Sequence, residues 1–243
     1  VISSSTGSGS FGIASDMADT TSPGAALIAW VITGIGVAML CLSLTNLMNK
    51  RPELSGIFVY AEEGFGPFGG FISSWGYWLS AWLGNVAFAT MLMSAVGYFF
   101  PVFEDGSNLI SILTASIVLW LMFYLVNRSI ESAATLNTII TICKLVPLFV
   151  FVVFAVFSFK AHLFTANFWD TASGNFELSS VASQITNTMM VLMWVFVGIE
   201  GAAMMNDRAE SKKTASKATI LGLAGLLVIY IFISMLPYGL LPR

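Results

Sequence analysis

The sequence is poor in charge: 9% of its 243 residues are Asp, Glu, Lys or Arg, against about 25% in an ordinary globular domain. So few charges cannot cover the surface of a soluble protein whose residues are 57% hydrophobic. The same composition excludes intrinsic disorder, which requires low hydrophobicity and high net charge. Ten basic residues against thirteen acidic ones also exclude a basic nucleic-acid-binding surface. The sequence therefore predicts an integral membrane protein.

Cysteine and histidine are scarce as well. Cys41 and Cys143 both lie inside apolar runs, so the sequence offers neither a disulfide framework nor the spacing of metal ligands. His162 is the single histidine, which leaves few routes to a His-based catalytic site. These shortages argue against an enzyme, and we expect neither a cofactor nor a metal site.

Long apolar runs are plentiful. A transmembrane helix needs about 20 mainly apolar residues, and six runs reach that length: about 24–48, 69–103, 108–127, 134–159, 180–206 and 217–241. The second run is too long for one straight crossing, so we interpret 69–75 as an interfacial approach to a tilted helix. Residues 1–18 lack the basic start of a signal peptide, and we interpret them as the end of a truncated first helix. The prediction is an all-α, polytopic transmembrane helix bundle, truncated to about seven helices.

The basic residues concentrate on one side of the predicted membrane. Seven of the ten lie in the alternate loops 49–68, 128–133 and 207–217, while the other loops lean acidic. Because Lys and Arg near helix ends mark the cytoplasmic side, we expect a cytoplasmic N-terminus and a seventh helix that ends outside.

Glycines and hydroxyls interrupt the first helix at mid-membrane depth, in the GSGSF motif at 7–11. A discontinuous helix here would direct free N–H groups at an anion such as a carboxylate. Alternatively, the small residues form a face that lets helices pack closely. Composition alone does not separate these two interpretations.

An acid lies in the middle of the sixth run, where Gly198 and Gly201 flank Glu200. A carboxylate at this depth costs on the order of 3 kcal/mol on insertion scales. We favour a second broken helix whose acid carries a proton or meets a cation. The alternative is a buried ion pair that serves packing.

Lys144 lies about ten residues into the run at 134–159. A buried lysine has a lowered pKa and can exchange a proton near neutrality. It can also extend its amine to the interface, as lysines near helix ends do.

An aromatic face with one amide occupies the run at 69–103, and its members are Tyr77, Trp78, Ala81, Trp82, Asn85 and Phe88. Residues 77, 81, 85 and 88 follow helical spacing and share one stripe. Such stripes usually pack or form an interfacial belt, whereas Asn85 favours a polar cavity.

Two glycine-centred interruptions, in the first and sixth helices, indicate a transporter built from inverted repeats. We expect a first five-helix repeat over 1–160, with helix 1 truncated at its start. An extracellular connector over 161–179 follows, and 180–243 begins the second repeat with helices 6 and 7.

Several motifs carry a resemblance to a known family: GSGSF at 7–11, PELSGIFVY at 52–60, GFG at 64–66, WGYWLSAWLGN at 75–85, YFFP at 98–101 and WVFVGIEGA at 194–202, followed by Arg208-Ala209. Over all 243 residues the chain resembles the bacterial basic amino acid/polyamine antiporters of the amino acid–polyamine–organocation superfamily. The resemblance implies a LeuT-like architecture of five plus five helices in inverted repeats.

The resemblance also implies substrate-binding residues. In similar proteins the unwound first helix holds the substrate carboxylate, here with Gly7, Ser8 and Gly9. Backbone carbonyls hold the α-ammonium, here those of Ser5, Trp194 and Val197. Trp194 further matches an aromatic that stacks on a cationic side chain.

Four more positions carry implied roles. Asn85 matches a ligand for the far, cationic end of the substrate. Tyr77 and Glu200 match positions linked to gating and proton sensing. Lys144 resembles a lysine that replaces a bound cation in sodium-independent relatives.

The implied function is exchange of arginine for ornithine by alternating access across the bacterial plasma (inner) membrane. Expected partners are small amino acids and the lipid bilayer, with no nucleic acid and with a homodimer left open. One alternative is another exchanged pair, such as lysine/cadaverine or histidine/histamine. A proton-coupled amino acid permease and, more remotely, a transporter-like amino acid sensor are the others.

Overall fold

The computed structural model describes residues 9–51, 53–54, 56–128, 130–170, 176–198 and 212–240. Its regular elements are helices: α1 Gly9–Thr20, α2 Pro23–Lys50, α3 Ile57–Gly97, α4 Leu109–Arg128, α5 Ile130–Ser158, α6 Ala161–Ala166, α7 Leu178–Val195 and α8 Lys212–Met235, with 3₁₀ turns at Pro101–Phe103 and Leu236–Gly239. Of these, α2, α3, α4, α5 and α8 are long and apolar enough to cross a membrane. The prediction of an all-α, multi-pass membrane protein is confirmed.

The helix α7 has 18 residues and is shorter than the crossing expected at its position. Regular helix in α7 ends at Val195, inside the predicted run at 180–206, and Gly198 has a φ of 108°. L-residues rarely adopt such a φ, so glycine at this position permits the backbone to leave the helix.

The long helix α3 begins at Ile57, whereas we predicted a loop over 49–68 and an interfacial approach at 69–75. Gly66 interrupts it with φ 80° and ψ −179°, directly before Pro67. Proline lacks a backbone N–H and disfavours helical geometry in the residue before it. The element is therefore two helical segments, 57–65 and 67–97, and only the second coincides with the apolar run.

The chain forms two compact units, the first comprising Val1–Ile57 with Cys143–Arg243 and the second Phe58–Ile142. In the first unit α2 packs against α7 and α8, and α1 packs against the same two helices. The buried core of the unit lies among these four helices, with contributions such as Ile13, Trp30, Leu192 and Tyr230. Ala25, Ala26 and Ala29 are fully buried on α2. Small side chains of this kind let helix backbones approach closely in lipid.

The start of α2 is fixed from both sides of its first turn. Ser22 is the N-cap, and its hydroxyl accepts a hydrogen bond from the backbone N–H three residues on, at 3.4 Å. Pro23 occupies the first turn, where its missing N–H leaves no donor unsatisfied. The N–H of Gly24 donates to the carbonyl of Phe168 at 2.9 Å. A Cβ on Gly24 would meet the rings of Trp169 and Phe168 at 2.6 and 2.7 Å.

The corner between α1 and α2 is a buried polar junction. The hydroxyl of Thr21 hydrogen-bonds that of Thr188 on α7, and the N–H of Ser22 donates to Oε1 of Gln184 at 2.8 Å. The hydroxyl of Tyr238 lies 2.9 Å from the carbonyl oxygen of Thr21. Buried polar groups that are paired in this way specify one arrangement of helices. The junction holds α1 and α2 against α7 and the final 3₁₀ turn.

In the second unit, α4 begins at an asparagine cap. Oδ1 of Asn108 accepts a hydrogen bond from the N–H of Ser111 at 2.8 Å, and its Nδ2 donates to the carbonyl of Val102 at 2.6 Å. Within this chain, only 11% of the most apolar window of α3 and of α4 is buried, against 50% for α8. The helices of the second unit therefore leave most of their apolar surface for lipid or for further protein.

Candidate functional site

The end of α7 forms an exposed turn at the position of the predicted break. The N–H of Phe196 donates to the carbonyl of Leu192 at 3.2 Å, and that of Val197 donates to the carbonyl of Trp194 at 3.3 Å. The N–H groups of the turn thus donate to two of the last carbonyls of α7, and this end of the helix carries the negative pole of the helix dipole. A cation such as an α-ammonium is therefore favoured here.

Side chains along this turn differ sharply in exposure. Phe196 is 5% exposed, whereas Trp194 and Val197 are 41% and 50% exposed. The ring of Phe196 is therefore buried in the core, and the indole of Trp194 lies on the surface of the unit. An indole face can receive an organic cation, as the assignment of Trp194 requires.

Two aromatic side chains from other helices hold the ring of Phe196. Its centroid lies 6.1 Å from that of Trp30 on α2 and 5.7 Å from that of Tyr230 on α8, with interplanar angles of 85° and 64°. Edge-to-face pairs at these separations are the preferred aromatic geometry. The indole Nε1–H of Trp30 donates to the hydroxyl of Ser234 at 2.9 Å. All three rings are buried.

The start of α1 belongs to the same unit as this turn. At the α1–α2 corner, Thr21 hydrogen-bonds Thr188, and the next residue, Ser22, hydrogen-bonds Gln184, which lies earlier in α7. Because the residue numbers rise on one side and fall on the other, we infer that α1 and α7 run antiparallel here. Eight residues before Thr21 is Ile13, and eight after Thr188 is Phe196. Both steps rise about 12 Å along a helix, and both residues lie in one core cluster.

Gly9, the first residue of α1, lies one helical turn before Ile13. The N-terminus of a helix carries free N–H groups and the positive pole of the dipole, which favour an anion. The part of α1 that follows the predicted break at 7–11 and the end of α7 thus belong to one unit. Ser5, Gly7, Ser8 and Glu200, which were also predicted for this site, lie outside the described residues.

Lys144 lies on α5 in the first unit, three residues before Pro147, and is half-buried. Its placement in a candidate membrane span agrees with the sequence.

Tyr77 and Asn85 lie on α3 in the second unit, Tyr77 half-buried and Asn85 exposed. The residues expected to bind the far end of a substrate and to gate it therefore belong to a different compact unit from Trp194 and Val197. The structure groups Gly9, Trp194 and Val197 in one unit and the two α3 residues in the other.

The aromatic face of α3 differs from the one that we predicted. Phe71, Trp75, Trp78 and Trp82 form a continuous ring stack, with successive centroids 6.4, 5.2 and 6.3 Å apart. This stack is centred about a quarter turn around the helix from the stripe of residues 77, 81, 85 and 88. Trp78 and Trp82 therefore belong mainly to a separate aromatic face, and all four stacked rings are more than half exposed.

Two cavities lie elsewhere and do not suit an amino acid. One of about 370 Å³ lies between α5 and α8 and is lined only by apolar side chains, among them Leu148, Val152 and Phe232. It offers no polar group for a carboxylate or an ammonium. The other, about 310 Å³, is a concavity on α4 around Trp120. Within the described ranges there is also no cluster of three His, Cys, Asp or Glu side chains that could hold a metal.

Sequence reasoning missed the three buried rings. Phe196 stands inside a motif that was read for Trp194, Gly198 and Glu200, and it was not singled out. Trp30 and Tyr230 lie in long apolar runs that also hold other polar side chains, so no local signal marked them.

Comparison with known proteins gives a consistent result. Residues 1–243 match the sequence model of a family described as amino acid permease. The chain is 64% identical, over 243 residues, to the arginine/ornithine antiporter of Latilactobacillus sakei, covering 100% of this chain and 51% of that protein. It is 43% identical over 244 residues to the arginine/ornithine antiporter of Pseudomonas aeruginosa, covering 100% and 50%.

A third relative carries a different product in its name. The chain is 43% identical over 243 residues to the arginine/agmatine antiporter of Chlamydia felis, covering 98% of this chain and 50% of that protein. The chain thus spans about half the length of the relatives that it matches.

Proposed function

The chain belongs to the amino acid permease family, and from this premise we propose that the complete protein exchanges arginine for ornithine by alternating access. The observation that carries the proposal is the 64% identity, over the whole chain, to a protein named arginine/ornithine antiporter. A transporter of this kind makes and breaks no covalent bond. Its selectivity comes from differential binding at a site near the membrane midplane.

The α-amino acid end of the substrate is assigned to the first unit. The start of α1, with Ser5, Gly7, Ser8 and Gly9, holds the carboxylate, and carbonyls of Ser5, Trp194 and Val197 hold the ammonium. The exposed turn after α7, the opposite dipole ends of α1 and α7 and their antiparallel order support this assignment.

The cationic end of the substrate is assigned to two side chains. Trp194 stacks on the guanidinium or terminal ammonium, a contact worth about 0.5–2 kcal/mol depending on desolvation. The Asn85 amide accepts hydrogen bonds from the same group. The exposure of both side chains in this chain supports their availability to a ligand.

Three ionisable or polar residues carry the proposed gating. Tyr77 and Glu200 respond to protonation and to closure of the site, and Lys144 supplies a fixed cation in place of a bound one. Lys144 lies half-buried within a candidate span, where an ionisable side chain indicates function.

The organisation of the complete protein follows from the same proposal. Residues 1–160 form the first inverted repeat, 161–179 an extracellular connector and 180–243 the start of the second repeat. The N-terminus is cytoplasmic, as the seven basic residues in alternate loops favour. The site of action is the bacterial inner membrane, and a homodimer stays a prediction.

Arginine/agmatine exchange is the second candidate, because relatives at 42–44% identity carry that name. Agmatine lacks the carboxylate that the start of α1 is proposed to hold. The two candidates therefore differ in whether both exchanged compounds use that helix end.

Counterflow with the complete protein in proteoliposomes tests the proposal. Vesicles preloaded with ornithine should take up labelled arginine, while empty vesicles should not. Preloading with agmatine, lysine or cadaverine separates the alternative pairs. Equal arginine uptake into empty vesicles would contradict exchange and would instead indicate a uniporter or proton symporter.

A further inference from the structure

We infer that Phe196 is a positioning residue: its ring, held by Trp30 of α2 and Tyr230 of α8, fixes the turn after α7 at which the substrate ammonium binds. These three rings are called the aromatic clamp below. The inference rests on the proposed function, because it concerns how that binding end is held.

The first step is the end of regular helix at Val195. Beyond that residue the chain turns, and Gly198 has left helical geometry with a φ of 108°. The N–H groups of Phe196 and Val197 donate back to the carbonyls of Leu192 and Trp194 and so fix the turn relative to α7. The side chain of Phe196 connects the same turn to α2 and α8.

The second step is that Phe196 reaches both of those helices. Its ring meets Trp30 at 6.1 Å and Tyr230 at 5.7 Å, both in edge-to-face geometry. The three side chains are 5%, 4% and 0% exposed. Since cores of this kind are close-packed, the ring has one place in which it fits.

The third step is that Trp30 is itself fixed. Its Nε1–H donates to the hydroxyl of Ser234 on α8 at 2.9 Å. The ring that contacts Phe196 from α2 is thus fastened to the helix that supplies the other contact. The end of α7 is held to a pair of helices that are linked to each other.

The consequence concerns the residues on either side of the ring. Trp194 and Val197, whose carbonyls are proposed to bind the ammonium, flank the anchored residue and are exposed. A binding site needs its groups held within about 0.5 Å of productive geometry. Removal of the clamp should therefore weaken substrate binding without removing any group that touches the substrate.

The experiment compares Phe196→Leu with Phe164→Leu in the complete protein, reconstituted in proteoliposomes. Phe164, on α6, is a matched control. Its ring also contacts two other rings, those of Phe159 at 5.8 Å and Phe168 at 6.1 Å. We expect the KM for external arginine to rise about tenfold in Phe196→Leu. Phe164→Leu should keep the wild-type KM, and any loss of folded protein should lower only its maximal rate.

A double variant tests whether the rings act together. Tyr230→Leu alone should also raise the KM, and Phe196→Leu/Tyr230→Leu should have the KM of either single variant, because both remove the same contact. A KM for the double variant that rises by the product of the two single-variant factors would overturn the clamp. So would a KM for Phe196→Leu equal to that of Phe164→Leu.

A milder variant covers the case in which Phe196→Leu does not fold. Ser234→Ala removes the acceptor of the Trp30 N–H and should raise the KM about threefold. Its control is Ser116→Ala, since that hydroxyl donates only to the carbonyl of Ile112 in its own helix. Equal KM values for these two variants would overturn the clamp.

Failure of the proposed function is detected in the wild-type protein, not in the variants. If wild-type protein exchanges another pair, the arginine/ornithine proposal fails, and the same variants are then compared on the KM for that pair. The clamp is judged by the variants, and the substrate is judged by the wild type.

Discussion

In the first unit, side chains form contacts between different helices, whereas the side chains described on α3 and α4 make many of their contacts within one helix. The hydrogen bonds between Thr21 and Thr188 and between Trp30 and Ser234 connect different helices. On α3 the ring stack from Phe71 to Trp82 runs within one helix. Helices in lipid associate through close packing and interhelical hydrogen bonds. The cross-helix contacts therefore make the first unit a body that can position a substrate.

This difference indicates different roles for the two units. The first unit holds the turn at the end of α7 through buried side chains, as the proposed binding of the α-amino acid group requires. The second unit presents Asn85 and Tyr77 on a helix that is little buried in this chain. Side chains on such a helix can change specificity with little effect on the stability of the bundle.

The largest effect is expected where the connector meets α2, in Gly24→Val. The new Cβ would meet two aromatic rings at 2.6–2.7 Å, and overpacking of a rigid site should cost about 3 kcal/mol. Thermal unfolding in detergent measures the change. The control is Gly36→Val in the same helix, where a Cβ would meet nothing within 4 Å. Equal melting temperatures for the two variants would show that the connector does not press on α2.

A smaller loss of stability is expected from Thr188→Val in the corner junction. The Thr188 hydroxyl donates to the carbonyl of Gln184 at 2.8 Å, so its oxygen accepts from Thr21. Loss of that acceptor leaves a buried donor poorly satisfied and should cost about 1.5 kcal/mol. Thr186→Val is the control, because its hydroxyl is exposed and bonds within α7. If the double variant with Thr21→Val is not more stable than Thr188→Val, the two hydroxyls are not coupled.

A specificity effect is expected in the second unit from Asn85→Ala. Arginine should bind about tenfold more weakly, equivalent to about 1.4 kcal/mol, while alanine should lose little, because it has no cationic end. Competition against labelled arginine in proteoliposomes measures both. Asn127→Ala is the control, since its amide donates to the carbonyl of Phe123 in its own helix. Equal losses for arginine and alanine would mean that Asn85 only packs helices.

The smallest effect is expected between α2 and α3, from Glu53→Gln. Arg51 donates a hydrogen bond to Glu53 at 2.5 Å and thereby holds the pKa of that carboxyl below its usual value. A lowered pKa stabilises the folded state above the usual carboxyl value, and the contribution is lost as the pH falls through the folded pKa. Both side chains are about half exposed, so water screens the pair. We therefore expect Glu53→Gln to leave the melting temperature at pH 7 unchanged. A melting temperature that is clearly lower than that of the wild type at pH 7, but equal to it in acid, would contradict this.

The helix content, the apolar spans and the end of regular helix inside the sixth run followed from the sequence. Hydrocarbon requires about 20 apolar residues per crossing, and it requires each backbone group to be satisfied within the helix. Glycines inside such a run therefore mark the place where regular helix ends, as it does at Val195. The start of α3 was misplaced because its first segment, 57–65, carries two acids and lies before the apolar run.

The tertiary structure alone decided which side chains meet. Trp30 and Ser234 lie 204 positions apart in the chain, and no local periodicity connects them. The predicted aromatic face grouped Trp78 with Tyr77 and Asn85, but the rings of α3 stack at steps of three and four residues along a neighbouring face. Local sequence determines what each residue can do within its own helix. The packing of α1, α2, α7 and α8 determines which of them form the clamp and the corner, because those contacts exist only after the helices have associated.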